Sequence, residues 1–176
     1  MVHPQLSLSA KRGNPVIGLP QAPVGLILVE DFHCHFCRIF SLEIFPKIQE
    51  QFLDTGLAYC VYVPVAFLAG SKPLANAALA VYHHAPDRFV PYMHALFEKS
   101  AKENDLIPIA QQIGGIDLDT LQTCIETDCF SEQIEGNLSW AKQLMGPNFS
   151  VPALFVNGVR TPTSSFDVIA KEIERQ

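Results

Sequence analysis

The chain is poor in the features that mark nucleic-acid and membrane proteins. Its 12 Lys and Arg are outnumbered by 18 Asp and Glu, giving a net charge of −6, and they form no basic run. Phosphate backbones require clustered cations, so nucleic acid is not an expected partner. No apolar stretch approaches the roughly 20 residues that cross a bilayer; the longest, Val24 to Val29, is strand-sized. Residues 1–23 hold Lys11, Arg12 and four prolines but no apolar h-region, so no secretory signal is visible. That fits either a cytosolic protein or one whose signal has been removed. Cysteine is scarce: Cys34, Cys37, Cys60, Cys124 and Cys129 are too few for a disulfide-built mini-protein, and their odd count leaves at least one free thiol in a monomer. Apolar residues are not scarce. At 48 % of 176 residues they suffice for one domain with its own core, or a domain with one insertion.

The first strong pattern is Val24 to Phe32, a continuous apolar run with β-branched residues that ends in polar and aromatic positions and predicts a central buried strand. From Cys37 to Leu53, apolar residues at Ile39, Phe40, Ile44, Phe45, Ile48 and Phe52 follow helical spacing. Pro46 predicts a kink or break within that helix, and Asp54-Thr55-Gly56 a turn after it. Leu57 to Phe67 predicts a second strand that leaves its ladder near Pro64. Strand, helix and strand make a βαβ unit, hence a parallel pair. Residues 72–146 read as helical throughout: Pro73 to His84, Pro86 to Ser100, a segment capped by Asn104 or Asp105 and ending at Gly114-Gly115, one from Leu118 to Glu126 capped by Asp117, and one capped by Ser131 running to Met145. Val151 to Val156 returns to strand. Asn157-Gly158 signals a type I′ hairpin to Val159–Thr161, and Ser164 to Glu174 is a last helix with Phe166, Ile169 and Ile173 on one face.

The chemistry centres on Cys34-His35-Phe36-Cys37, where a buried strand turns into a helix. Two intervening residues on a first helical turn bring both sulfurs within disulfide reach. The first cysteine then meets the unpaired N–H groups and dipole of the helix start, which stabilise a thiolate. Cys34 is the expected nucleophile and Cys37 the recessed resolving thiol. His35, when protonated, can add to thiolate stabilisation; Phe36 suits an apolar docking rim. The rival chemistry is metal binding by His33, Cys34, His35 and Cys37, as in a metallochaperone. No second CxxC or HxxxH follows, and Arg38 stands where a c-type haem site needs histidine. A third alternative is a pair of inert core cysteines. Cys60, on a predicted strand, reads as core; the pair His83 and His84 as a helix-end or solvated face; His94 as an ordinary helix position.

Several stretches carry a resemblance: Asn14-Pro15-Val16-Ile17-Gly18, Ala22-Pro23-Val24, the approach Asp31-Phe32-His33-Cys34, the helix with Arg38, Phe40 and Pro46, Phe52 to Gly56, and Val151-Pro152-Ala153-Leu154-Phe155-Val156-Asn157-Gly158. Together they resemble the DsbA-like branch of bacterial extracytoplasmic thiol–disulfide oxidoreductases, over about residues 14–176. The resemblance implies an α/β class, a thioredoxin fold with an inserted all-helical domain. Residues 14–71 and 147–176 would form the thioredoxin-like part, 72–146 the helical insertion, and 1–13 a flexible leading segment. It implies a redox-active Cys34–Cys37 disulfide with no other cofactor. Pro152, preceded by Val151, would be the cis-proline facing the CxxC. Cys124 and Cys129 would form a structural disulfide if the helix ends near Asp128. The implied partners are proteins with thiols or disulfides and a redox partner that recharges the site, and the implied state is a monomer in the periplasm or another extracytoplasmic space.

Two departures stand out. His35 replaces the proline that often follows the first cysteine. Leu28 replaces the buried acid that many relatives carry six residues before it; Glu30 lies on the same strand face and is the candidate proton relay, against the alternative of an exposed strand-end glutamate. With Phe36 beside Cys37 where the strongest oxidants carry histidine, the expected potential is intermediate or reducing. A DsbC-like isomerase is the less expected activity, since the roughly twenty residues ahead of the fold here are too few for its added dimerisation domain, and the second cysteine argues against a kappa-class glutathione transferase.

Overall fold

The computed structural model describes residues 12–176; residues 1–11, most of the expected leading segment, lie outside the described residues. The apolar runs form a five-stranded sheet of order β1-β3-β2-β4-β5. Its strands are β1 (Val16–Gly18), β2 (Val24–Glu30), β3 (Ala58–Pro64), β4 (Ala153–Val156) and β5 (Val159–Thr161). β2 and β3 pair parallel, with Leu28 opposite Tyr62, while β4 runs antiparallel to β2. Parallel pairing requires a crossover, and the helix after β2 supplies it. β2 and β3 are buried along their whole length, which is why their sequences lack polar alternation.

Period two still sorts their residues between two layers. Leu26, Leu28, Cys60 and Tyr62 face one core; Ile27, Val29, Tyr59, Val61 and Val63 face the other. The first core is closed by the crossover helix α1 (residues 35–53), by α7 (Phe166–Glu174) through Ile169 and Ile173, and by helices inserted between β3 and β4. The inserted helices are α2 (Lys72–His84), α3 (Phe89–Glu98), α4 (Leu106–Ile113), α5 (Leu118–Thr127) and α6 (Ser131–Met145). Their residues Leu74, Tyr92 and Phe97 belong to the same cluster as Cys37 and Phe40, so the inserted helices share a core with the sheet. α6 covers the opposite layer with Trp140 and Met145. Its buried Asn137 donates to Asn14 Oδ1 (2.9 Å) and to the Pro64 carbonyl (3.0 Å), tying α6 to the end of β3.

Some local expectations are corrected. The chain does not break at Pro46. The turn before it, Phe40–Ile44, widens so that the Phe45 N–H donates five residues back to Phe40, and a second widened turn spans Gln49–Leu53. A wide turn accommodates a residue that lacks an N–H and crowds the preceding turn. Asp105 does not cap α4 with its side chain; it accepts from the Lys102 N–H at 2.8 Å and shapes a 3₁₀ turn at Glu103–Asp105. Ser131 is the first residue of α6 rather than its cap, and its hydroxyl donates to Glu135. Asp117 does cap α5, accepting from the Thr120 N–H at 2.9 Å. Asn157 and Gly158 take positive φ, 45° and 87°, as the β4–β5 hairpin requires. The exposed His83 and His84 end α2, with His83 stacked on Phe130.

Candidate active site

β2 delivers the chain to the start of α1, and both cysteines follow from that junction. Cys34 is the N-cap residue, in extended conformation (φ −76°, ψ 122°), so its side chain projects past the helix end. Its sulfur accepts the Cys37 N–H at 3.3 Å and lies 3.6 Å from the Val151 carbonyl oxygen, to which a thiol can donate. The Val151–Pro152 peptide is cis, and it borders the sulfur. Cys34 is half-buried; Cys37, one turn on, is buried. His35 and Phe36 are both exposed, their rings edge to face at 5.5 Å.

The two thiols differ in electrostatics. The Cys34 thiol is lowered to about 6, chiefly because the Cys37 thiol donates to its sulfur. Partial burial opposes this, the N–H groups of Cys37 and Phe36 reinforce it, and the charge of Asp31 works against it. The Cys37 thiol is pushed far upward, first by burial, then by its hydrogen bond to Cys34 and the charge of Glu30. The pair therefore has one sulfur ready to be a thiolate at neutral pH and one that holds its proton. Burial also pushes up the Cys60 thiol, which sits in the core.

Glu30 is fully buried, so the alternative of an exposed strand-end glutamate is overturned. It ends β2 on the face toward α1, and its Oε2 accepts the Ser41 hydroxyl at 2.7 Å. Burial raises its carboxyl to about 8, against the opposing pull of Ser41 and Tyr62, and the Cys34 charge adds to the rise. A buried acid titrating near neutrality, close enough to act on the Cys37 thiol, is suited to exchanging a proton with it.

Three residues without an assigned role in the sequence prove central. Buried Asp31 accepts the His33 N–H (2.9 Å), the N–H groups of Phe67 and Leu68 (3.0 and 3.1 Å) and the Ser71 hydroxyl (3.0 Å). It thereby pins the loop after β3 against the cysteines. Ser41 and Tyr62 surround the Glu30 carboxyl. Only Asp31 had a signal, an acid in a buried run three residues before the first cysteine; Ser41 and Tyr62 read as ordinary helix and strand positions.

His33 is held by the same framework. Its Nδ1 lies 2.8 Å from the Ala69 carbonyl oxygen and its Nε2 3.2 Å from that of Ala101. Both ring nitrogens thus face carbonyls rather than sulfur. Among the described residues, no group of three or more His, Cys, Asp or Glu is placed to hold a metal ion. Arg38 donates to the carbonyls of Phe97 (2.8 Å) and Glu98 (3.3 Å), fastening the end of α3 to the active-site helix. His94 lies within α3, its ring edge against Phe45. Far along the chain, Cys124 and Cys129 are disulfide-bonded across the left-handed Asp128 that ends α5. Buried Asn76 grips the same turn, donating to the Cys124 carbonyl (3.0 Å) and accepting the Phe130 N–H (2.8 Å).

A thioredoxin family model (Thioredoxin_4) matches residues 10–175. Disulfide bond formation protein D of Bacillus subtilis is 31 % identical over 174 residues, covering 94 % of this chain and 78 % of that protein. The crystal structure of Chlamydia trachomatis DsbA superposes with a TM-score of 0.83 at 33 % identity, over 92 % of this chain and 90 % of that one. Oxidised BdbD from Bacillus subtilis also gives a TM-score of 0.83, at 30 % identity, over 93 % and 92 % of the two chains.

Proposed function

We propose that this chain, which belongs to the thioredoxin family as a DsbA-like protein disulfide oxidoreductase, works with Cys34 as the attacking sulfur, Cys37 as the resolving one and Glu30 as the group that exchanges the Cys37 proton. The observation that carries the assignment is the asymmetry of the pair: an accessible Cys34 sulfur hydrogen-bonded by the Cys37 N–H at 3.3 Å, with Cys37 buried behind it.

The enzyme acts on proteins that bear thiols or disulfides. In one direction a client thiolate attacks Cys34 of the Cys34–Cys37 disulfide. The S–S bond breaks, Cys37 leaves as a thiolate and takes a proton from Glu30, and a client–Cys34 mixed disulfide forms. A second client thiol, its proton lost to solvent, attacks as thiolate the client sulfur of the mixed disulfide; the client–Cys34 bond breaks, the client disulfide forms, and Cys34 departs as the stabilised thiolate. The client loses two electrons and the enzyme gains them. In the reverse direction the Cys34 thiolate attacks a client disulfide, and Cys37, its proton passed to Glu30, closes the enzyme disulfide and frees the reduced client. Val151 and Pro152 border the Cys34 sulfur, where an extended client segment would lie, and Phe36 offers it an apolar surface. His35 and Phe36 set the poise, and a separate redox partner recharges the site.

An extracytoplasmic location is supported by the Cys124–Cys129 disulfide, since such bonds persist in oxidising compartments. The protein works as a monomer, without nucleic acid or another cofactor. Its thioredoxin-like part is 14–71 with 147–176, and 72–146 is the helical insertion.

Trapping tests the assignment. Cys37→Ser should accumulate a mixed disulfide between Cys34 and a client, seen as a dithiothreitol-sensitive adduct on non-reducing gels. Cys34→Ser should accumulate none. Trapping by Cys34→Ser alone would reverse the order of attack.

A further inference from the structure

The strand face that carries Glu30 also carries Tyr62. Leu28 lies opposite Tyr62 and Glu30 opposite Pro64 in the parallel β2–β3 ladder, so Glu30 and Tyr62 project to the same layer, and both are near enough to Cys37 to interact with it electrostatically. Tyr62 is fully buried, its ring packed against Phe32 (6.3 Å between centroids) and Phe89 (5.5 Å). Among the described residues its hydroxyl falls outside hydrogen-bond geometry with any group, and so does Glu30 Oε1, while Oε2 accepts from Ser41; the Tyr62 hydroxyl and the Glu30 carboxyl are nonetheless near enough to act on each other. A buried polar atom without a partner is unfavourable, and phenylalanine would fill the same space without one. Two such atoms on adjacent strands beside one thiol point to a shared task.

We propose that Tyr62 is a positioning residue for thiol–disulfide exchange, its hydroxyl steadying the Glu30 carboxylate in the state that accepts the Cys37 proton. The inference rests on the relay role of Glu30. The groups acting on Glu30 are Cys34 and Ser41 from the α1 side and Tyr62 from β3; Glu30 in turn acts on Cys37 and Cys60, and Asp31 adjoins it in sequence. Tyr62 pulls the Glu30 carboxyl down against the rise that burial imposes. Burial, followed by the charges of Glu30 and Cys37, keeps the phenol proton firmly in place, so Tyr62 acts as a neutral donor. When Cys37 loses its proton to attack Cys34, Glu30 gains it. When Cys37 leaves as a thiolate, Glu30 returns it. Tyr62 gains and loses no proton in either direction.

The test is a titration of the Glu30 side-chain carboxyl by carbon-13 NMR in the reduced protein, assigned with Glu30→Gln, alongside the pH dependence of the rate at which dithiothreitol reduces the Cys34–Cys37 disulfide. Tyr62→Phe keeps the ring and removes only the hydroxyl. It should move the Glu30 midpoint upward from about 8 by about half a unit to one unit, with the rate inflection following. The Cys34 midpoint, read by thiolate absorbance, should stay near 6. Replacing Tyr62 by 3-fluorotyrosine, a stronger donor of nearly the same shape, should move Glu30 the other way. An unmoved Glu30 midpoint in both variants overturns the role of Tyr62 even where Glu30→Gln removes the rate inflection. A rate profile indifferent to Glu30→Gln overturns the relay itself, and the proposal with it.

Discussion

Replacing Glu30 by glutamine should make the protein more stable and less active. Burial raises the carboxyl from 4.5 to about 8. A raised acid favours the fold fully only below its unfolded value, and that advantage is lost as pH rises through the folded one. At pH 7 the unfolded chain holds Glu30 ionised while the folded protein keeps it mostly protonated. The linkage integral between those two values gives a cost of about 3 kcal/mol at pH 7 and less than about 0.5 kcal/mol at pH 4.5. Glutamine has nearly the same shape, can still accept from Ser41 and carries no such penalty. Glu30→Gln should therefore gain about 3 kcal/mol in urea unfolding at pH 7, with the two proteins converging near pH 4.5. Exchange with a dithiol should slow by about 10²-fold, the lower end of what a positioned acid–base contributes. A variant no more stable than the parent at pH 7 would refute the burial argument. A variant that is more stable but equally fast would refute the relay.

Other consequences can be checked independently. Alkylation of Cys34 should follow a midpoint near pH 6 and precede that of Cys37 throughout; equal labelling would sink the asymmetry. That midpoint favours the reduced enzyme at pH 7 relative to an ordinary thiol. The effect should be fully developed above pH 9 and vanish as pH falls through 6, read as the pH dependence of the glutathione equilibrium. Exchanging the spacer, His35→Pro with Phe36→His, should make the site more oxidising in the same buffer, because it places a histidine beside Cys37 where an exposed phenylalanine now stands; an unchanged equilibrium would place the control of poise elsewhere. Asn76→Ala should lose about 1–2 kcal/mol by denaturant unfolding, since it leaves the Phe130 N–H unpaired and removes one of the donors to the Cys124 carbonyl, which keeps the Cys129 N–H. A loss below about 0.5 kcal/mol would mean that the neighbouring disulfide alone holds the turn.

The sequence by itself determined the parts whose physics is local. A short apolar run with β-branched residues between turn signals points to a covered strand, and Asn157-Gly158 accepts the two positive φ angles of its hairpin. A CxxC where that strand becomes a helix places one sulfur at the unpaired N–H groups and the other inside the first turn. Those signals lie within a few residues of each other, so pattern alone sufficed. Local chemistry misled where several groups compete for one position, as at Ser131 and Asp105, whose side chains turn to other partners than the expected caps.

Tertiary structure decided the environment of the sulfurs. Whether Glu30 meets water or core depends on α1 and the inserted helices closing over the end of β2, and nothing in its own neighbourhood specifies that. Asp31 bonds to residues 36 to 40 positions away, and His33 to carbonyls 36 and 68 positions away. Tyr62 and Glu30 share a layer only because two strands separated by a helix lie side by side in a particular register. Ionisation depends on the total surroundings of a group, which the folded chain assembles from distant segments. The cysteines could thus be found by spacing, while their proton chemistry appears only once the chain has closed around them.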